Sequence, residues 1–285
     1  MSGNKRIAVV TDGASSLTPA QGEQYGVQVA PVYVNFGEKT YRAGVDLETT
    51  EFYRLLAANQ NLPSTAQPSA QDFVDIYTRL AKQAEEIVTI VISHHMSATL
   101  QSAEMANEQF KDVPVHIVNS ESVSLGLGMM AIAAARAAAQ GRSAGEVVEL
   151  VERIKQNMNV IFTVETLEYL RKGGRIGGAT AFLGSALNIK PILYVKSGRI
   201  EPLERVRTRK RAVARLLELV QEKVGAQETH FAILHCEAEG EAQEFGEQVR
   251  SRFNCAELVV SDAGPVIGTH AGPGTLGVVF YTLPD

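Results

Sequence analysis

IVTIVISHHMSATLQSAEMANEQFKDVPVHIVNSESVSLGLG, residues 87–128, holds two short apolar runs separated by a helix-length segment and opens a second helix behind them. IVTIVIS (87–93) is β-branched almost throughout and reads as a strand. Residues 99–110 read as a helix, VHIVN (115–119) as a second strand, and the alanine-rich stretch at about 124–140 as a second helix. Strands separated by helices require crossovers, and crossovers produce a parallel sheet with helices on both faces. Ligands of such sheets bind in the loops at the carboxyl ends of the strands.

The alternation extends to the amino terminus. IAVVT (7–11) reads as a buried strand followed by a polar loop. VQVAPVYVNF (27–36) and KTYRAG (39–44) flank Gly37-Glu38 and read as a hairpin. Helices are expected near 49–60 and 70–85, the second capped by Ser69. Beyond a helix at 144–157 the pattern changes. NVIFTV (159–164) leads into a helix at 165–174 and a Gly-rich helical stretch to about 187. KPILYVKSGRIEPLERV (190–206) is a hairpin around Ser197-Gly198. A helix (209–224), HFAILHC (230–236), a helix (239–252), AELVV (256–260) and VVFYTL (278–283) follow. The expected fold is α/β with two domains. Residues 1–157 would form a three-layer, mostly parallel sheet domain, and residues 158–285 an α+β domain.

The chain has 285 residues, 45% of them hydrophobic and 21% charged, the balance of a globular protein rather than a disordered one. Its net charge of −5 argues against nucleic-acid or anionic-membrane binding by bulk electrostatics. Two cysteines, Cys236 and Cys255, make neither a disulfide framework nor a zinc ribbon. The amino terminus lacks the apolar core of a signal peptide and no run of about 18 apolar residues occurs, so the cytoplasm is the expected compartment.

Three polar loops stand at predicted helix starts: PSTAQPSA (63–70), SHHMSATLQSA (93–103) and NSESVSLGLG (119–128). Hydroxyls and free N–H groups at a helix start can hold an anion. Ser69, Ser97 and Ser120 or Ser124 read equally as caps, whereas Thr65 lies too far ahead of its helix to cap it. GTHAGPGTLGV (268–278) places His270 among glycines that permit close backbone approach. In LEYLRKGGRIGGATAFLG (167–184), Gly173-Gly174 ends a helix and Arg175 follows in the turn. GLGMMA (126–131) imitates a dinucleotide fingerprint, but its strand ends six residues too early and no ribose-binding acid follows. Ser97 and His270 could serve a hydrolase, with Asp12 or Asp262 orienting the histidine, although no G-x-S-x-G elbow occurs. His94 and His95 are expected to diverge and His230 and His235 to bracket a strand, so no metal site is expected. Arg205, Arg207 and Arg209 alternate, which on a strand aligns them for an acidic partner or a phosphate. No aromatic platform for RNA lies between them.

Eight motifs in order carry a resemblance: VTDGASSL, PSTAQPS, ISHHMSATLQSAEMA, VNSESVSLGLG, LEYLRKGGRIGG, NIKPIL, RVRTRKRA and GTHAGPGTLGV. Over nearly its whole length the chain resembles the DegV family of bacterial fatty-acid-binding proteins, the binding subunits of the fatty-acid kinase system. The resemblance implies a ligand tunnel between two domains that holds one long-chain fatty acid. It implies that Thr65, Ser97 and His270 bind the carboxylate, with Arg175, Ala98 and Gly272 near the head group. It implies no catalysis by the chain alone, no cofactor and no metal. A partner kinase, docked on Arg205, Arg207 and Arg209, would form an acyl-phosphate for phospholipid synthesis, with transient membrane contact and no nucleic acid. Three positions depart from the family pattern: T-S-Q-P is Thr65-Ala66-Gln67-Pro68, S-G-T is Ser97-Ala98-Thr99, and T-D-S is Thr11-Asp12-Gly13. The competing readings are a lipid or ester hydrolase using Ser97 and His270, and a nucleotide-binding regulatory protein.

Overall fold

The structure, a computed structural model, describes residues 6–184 and 189–283. The first part of the chain forms β1 (Ile7–Asp12), α1 (Pro19–Tyr25), β2 (Val27–Ala30), β3 (Tyr33–Phe36), β4 (Lys39–Arg42), α2 (Thr49–Ala58) and β5 (Ser64–Ala66). It continues through α3 (Ala70–Leu80), β6 (Glu86–Val91), α4 (Thr99–Gln109), β7 (Val115–Asn119), α5 (Leu125–Ala139) and α6 (Ala144–Asn157). The second part forms β8 (Asn159–Thr163), α7 (Glu168–Lys172), β9 (Lys190–Lys196), β10 (Arg199–Val206) and α8 (Arg209–Val224). It ends with β11 (Thr229–Cys236), α9 (Glu239–Arg252), β12 (Cys255–Asp262), α10 (Gly264–Ala271) and β13 (Thr275–Tyr281).

β2-β1-β6-β7 is a four-stranded sheet, parallel throughout. Its central strands β1 and β6 are largely buried on both faces, which is why they read as continuous apolar runs. Phe73, Ile76 and Tyr77 of α3 and Ala103 and Ala106 of α4 pack with Val10, Ile87 and Val91 on one face. Leu127 and Met130 of α5 and Val147 and Val151 of α6 pack with Val9, Val88 and Ile90 on the other, completing three layers. Thr18, Ser69 and Ser143 start α1, α3 and α6 with capping boxes.

The second sheet has six strands in the order β10-β9-β8-β13-β11-β12, antiparallel except between β11 and β12. Its side chains alternate. Ile161, Phe231, Ile233 and Val278 pack under α8 and α9, while Val160, Phe162, Ala232, Leu234 and Val279 join the core around α5. α5 therefore lies between two sheets, and a helix buried on both sides is apolar all round. A third, three-stranded sheet, β4-β3-β5, completes the α/β fold.

Several expectations need correction. Residues 27–36 do not form one hairpin arm: Val27–Ala30 pairs parallel with β1, and only β3 and β4 form the hairpin across Gly37-Glu38. Pro31 lies at the break, where it has no N–H to offer a ladder. The helix after Ser69 ends at Leu80, and the helix at 165–174 shrinks to α7. The Gly-rich stretch is a 3-10 turn over Gly177–Phe182, and its expected continuation at 185–187 lies outside the described residues. α10, not anticipated at all, starts with a proline in its first turn and puts His270 in its last. Among the described residues no helix is long and apolar enough to cross a membrane.

Candidate functional site

β1 and β6 are neighbours, but β1 connects through α1 to β2 on one side while β6 connects through α4 to β7 on the other. The loops leaving them diverge, and the crevice between them is the switch point of the sheet. Asp12, at the end of β1 and fully buried, ties the two loops together. Its Oδ1 accepts from the Ala14 N–H at 2.8 Å and its Oδ2 from the Ile92 N–H at 2.8 Å. Burial pushes its carboxyl up to about 6 despite those two bonds. Ser16 donates to the Ala263 carbonyl at 2.8 Å and lies 2.8 Å from Ser124 Oγ, joining this loop to the approach to α10.

The crevice opens into a cavity of about 850 Å³, including space open to solvent. Ala14, Ile92 and Met96 wall it from the parallel sheet, and Phe162, Leu234 and Val266 from the second part of the chain. Thr65, Ser97, Arg175 and His270 also line it. Thr65 comes from β5, where it pairs with Val34, and its Oγ1 lies 2.8 Å from His270 Nε2. His270 is pushed down to about 4, first by burial and then by the nearby Arg175 charge, so its imidazole is neutral at pH 7. Its Nδ1 is buried with no hydrogen-bond partner, and the ring lies against Gly173, where any Cβ would collide with Nδ1. Arg175 donates from Nε to the Met96 carbonyl at 3.0 Å and from Nη1 to the Gly173 carbonyl at 2.7 Å. Ser97 Oγ lies 2.8 Å from Thr99 Oγ1 and accepts from the Thr99 N–H at 3.3 Å, but the N-cap of α4 is Ala98 and no side chain caps the helix, so Ser97 stands in the cavity wall rather than in the capping role read for it.

The other expected site residues lie apart. Ala98 is exposed, at φ −81° before α4, a conformation that does not call for glycine. Gly272 follows α10 at φ 79°, ψ 166°, against the ring of Tyr169 rather than in the cavity wall. Arg205, Arg207 and Arg209 do not share a strand face, because β10 ends at Val206. Arg205 lies 5.0 Å above the Phe182 ring, Arg207 is exposed in the following bend, and Arg209 opens α8 in a two-pronged ion pair with Glu241.

The competing readings lack their geometry. Ser97 bonds Thr99 while His270 bonds Thr65. Asp12 serves backbone N–H groups, and Asp262 holds the Gly264 N–H at 2.7 Å and faces His235 at 3.3 Å, so neither orients His270. The glycines of GLGMMA serve packing: a Cβ at Gly126 would collide with Ser122 Oγ, and one at Gly128 with the Ser15 carbonyl. The His94 and His95 rings do not diverge, their centroids being 3.8 Å apart, yet no cluster able to hold a metal ion occurs among the described residues. Gln67 also lines the cavity, and it and the Asp12 bridge were missed. A lone acid directly after a buried strand was the available signal for Asp12.

The family model for DegV, described as uncharacterised proteins, matches residues 6–283. A DegV domain-containing protein of Streptomyces coelicolor is 36% identical over 278 residues, covering 97% of this chain and 98% of that one. Protein DegV of Bacillus subtilis is 34% identical over 274 residues, covering 95% and 98%. Among solved structures, the chain matches a DegV family protein from Thermus thermophilus, described for its fatty acid binding, with TM-score 0.92 and 36% identity over 98% of this chain and 100% of that one. It matches DegV, a fatty acid binding protein from Bacillus subtilis, with TM-score 0.90 and 33% identity over 98% and 99%.

Proposed function

The chain belongs to the DegV family, and from that premise we propose that it binds one long-chain fatty acid in the cavity and presents the carboxylate to a partner kinase. The observation that carries this reading is the gathering of Thr65, Ser97, Arg175 and His270 in the wall of an otherwise largely apolar cavity. Each buried CH₂ is worth roughly 0.8 kcal/mol, so a tail of about fifteen carbons supplies on the order of 10 kcal/mol. A carboxylate buried without donors would cost several kcal/mol and cancel much of that gain. The hydroxyls of Thr65 and Ser97, the Arg175 guanidinium and the His270 imidazole supply polar partners at the head group.

In this reading the chain performs no catalysis alone. A carboxylate oxygen attacks the terminal phosphorus of a nucleoside triphosphate held by the kinase, a P–O bond forms, and the diphosphate leaves. Arg205 and Arg207 offer the kinase cationic side chains, and Arg209, already paired with Glu241, offers less. We also place the division between two domains near residue 157, between the end of α6 and the start of β8.

Denaturation of the purified protein, solvent extraction and mass spectrometry test the reading. One fatty acid per chain is the expected result. An empty extract, followed by failure of added fatty acids to bind, would overturn it.

A further inference from the structure

β11 and β12 are parallel neighbours, and the helices that follow them lie on opposite faces of the six-stranded sheet. α9 packs Ala242, Phe245 and Val249 on the α8 side, whereas α10 places Val266 and Ala271 in the core around α5. The loops leaving the two strands therefore diverge, and their carboxyl ends form a second crevice built like the one between β1 and β6. Asp262 is the last residue of β12, as Asp12 is of β1. Each acid accepts from the N–H two residues on in its own loop, Gly264 at 2.7 Å for Asp262 and Ala14 at 2.8 Å for Asp12. Each also accepts from the first N–H beyond the neighbouring parallel strand, Glu237 at 3.4 Å and Ile92 at 2.8 Å. The second crevice differs in being filled by a buried histidine. His235 Nδ1 lies 3.3 Å from Asp262 Oδ2 and accepts from the Ala238 N–H at 3.4 Å. The His235 carbonyl accepts from the Ala263 N–H at 2.7 Å, and the Ala263 carbonyl accepts from Ser16 Oγ at 2.8 Å. Asp262, Ala263 and Gly264 are thus tied to β11 on one side and to the β1 loop on the other. Glu237 holds a left-handed φ of 51° where its N–H reaches Asp262, a strain that persists only where the surroundings enforce it.

We propose that Asp262 is a positioning residue for ligand binding: with His235 behind it, it fixes the start of α10 and so sets how closely Val266, Ile267 and Ala271 close on an acyl chain. The inference rests on the reading that a fatty acid occupies this cavity. Val266, Ile267 and Ala271 line the cavity, and Asp262 does not, so Asp262 acts through the helix that follows it. α10 has eight residues, GPVIGTHA, too few and too rich in glycine to hold a helix unaided, so its place depends on how its ends are tied. Dispersion contacts are short-ranged, and a gap of about 0.5–1 Å forfeits a quarter to a half of each. A small displacement of α10 therefore loosens the grip on the chain while the rest of the protein stays folded.

Palmitate binding to delipidated protein tests this, at a temperature where melting curves show every variant folded. Asp262→Ala should bind about tenfold more weakly, the worth of roughly two buried CH₂ groups. Asp262→Asn, whose amide oxygen still accepts from the Gly264 N–H, should recover most of that loss. A folded Asp262→Ala with the affinity of the unmutated protein would leave Asp262 a purely structural role and overturn the inference. An asparagine variant as weak as the alanine one would overturn it too, because the charge rather than the tether would then govern binding. Gly264→Ala serves where Asp262→Ala does not fold. An added Cβ there meets no atom, but the φ of 79° disfavours it, so the turn must shift. Its binding should weaken severalfold, and an unchanged affinity would show that the start of α10 does not govern the wall. Failure of the unmutated protein to bind palmitate or any other long-chain fatty acid would instead overturn the function from which the inference starts.

Discussion

On the side of the parallel sheet the cavity is walled by loops that leave β1 and β6, and these are tied by backbone N–H groups converging on one carboxylate, Asp12. On the other side it is walled by the face of the six-stranded sheet and the last turn of α10, held through His270 and Thr65 and through glycines at 173 and 272. Both sides bury a titratable group, with opposite consequences. Burial favours the protonated, neutral form of Asp12 and the deprotonated, neutral form of His270. At pH 7 His270 is therefore neutral, whereas Asp12, near 6, is still mostly ionised behind the cavity wall, and Arg175 stands in that wall as a fixed charge.

Replacing Gly272 tests the carboxy-terminal wall most severely. Its φ of 79° with ψ of 166° is a region open essentially to glycine alone, and a Cβ would enter the Tyr169 ring. Gly272→Ala should destabilise the protein by about 3–5 kcal/mol in urea unfolding. A loss below about 1 kcal/mol would show that this wall adapts where the other does not.

The buried acid and base give a pair of opposed pH dependences. Asp12 titrates near 6 folded against an ordinary 3.8, so between those values the folded chain holds the extra proton, and stability falls as pH rises. His270 titrates near 4 folded against 6.5, so the unfolded chain holds the extra proton, and stability rises with pH across that window. Two or more pKa units correspond to about 3 kcal/mol for each group. Their contributions therefore nearly cancel between about pH 4 and 6. Asp12→Asn should expose the His270 slope, stability climbing with pH. His270→Gln should expose the Asp12 slope, stability falling. Parallel slopes in the two variants would remove the contrast.

The arginines near α8 should matter least to stability. Arg205→Ala removes a cation–π contact at the surface, worth about 0.5–1 kcal/mol, and should leave fatty-acid retention unchanged. Acyl-phosphate formation with a kinase present should nevertheless fall, and an unchanged rate would move the docking surface elsewhere.

Much of this was legible before any fold was seen. Ser69 announced α3 because a serine followed by an acid three residues on satisfies two helix N–H donors locally. β6, α4 and β7 followed from runs whose periodicity reflects their own backbone geometry. Thr65, Ser97 and His270, which line the cavity, were picked out by motif, and Thr65 also because no local role explained it. α10 was missed because its eight residues include glycine, proline and threonine and carry little helical pattern; packing against α2 and α7 sustains it instead. The helix from 209 was expected, but the alignment of Arg205, Arg207 and Arg209 on one strand face was not compatible with it: Thr208 caps a helix that Arg209 opens, so the alternation ends with β10.

Length, strand and helix character, and the capped helix starts belong to neighbouring residues, and so the amino-acid order specifies them. The division of residues 27–36 between two sheets, the pairing of Thr65 with His270 across 205 residues and the Ser16–Ala263 bond across 247 belong to the packed chain. Such pairings arise when apolar faces are buried and bring distant loops together. Only then is it settled which hydroxyls are already bonded and which remain to receive a ligand.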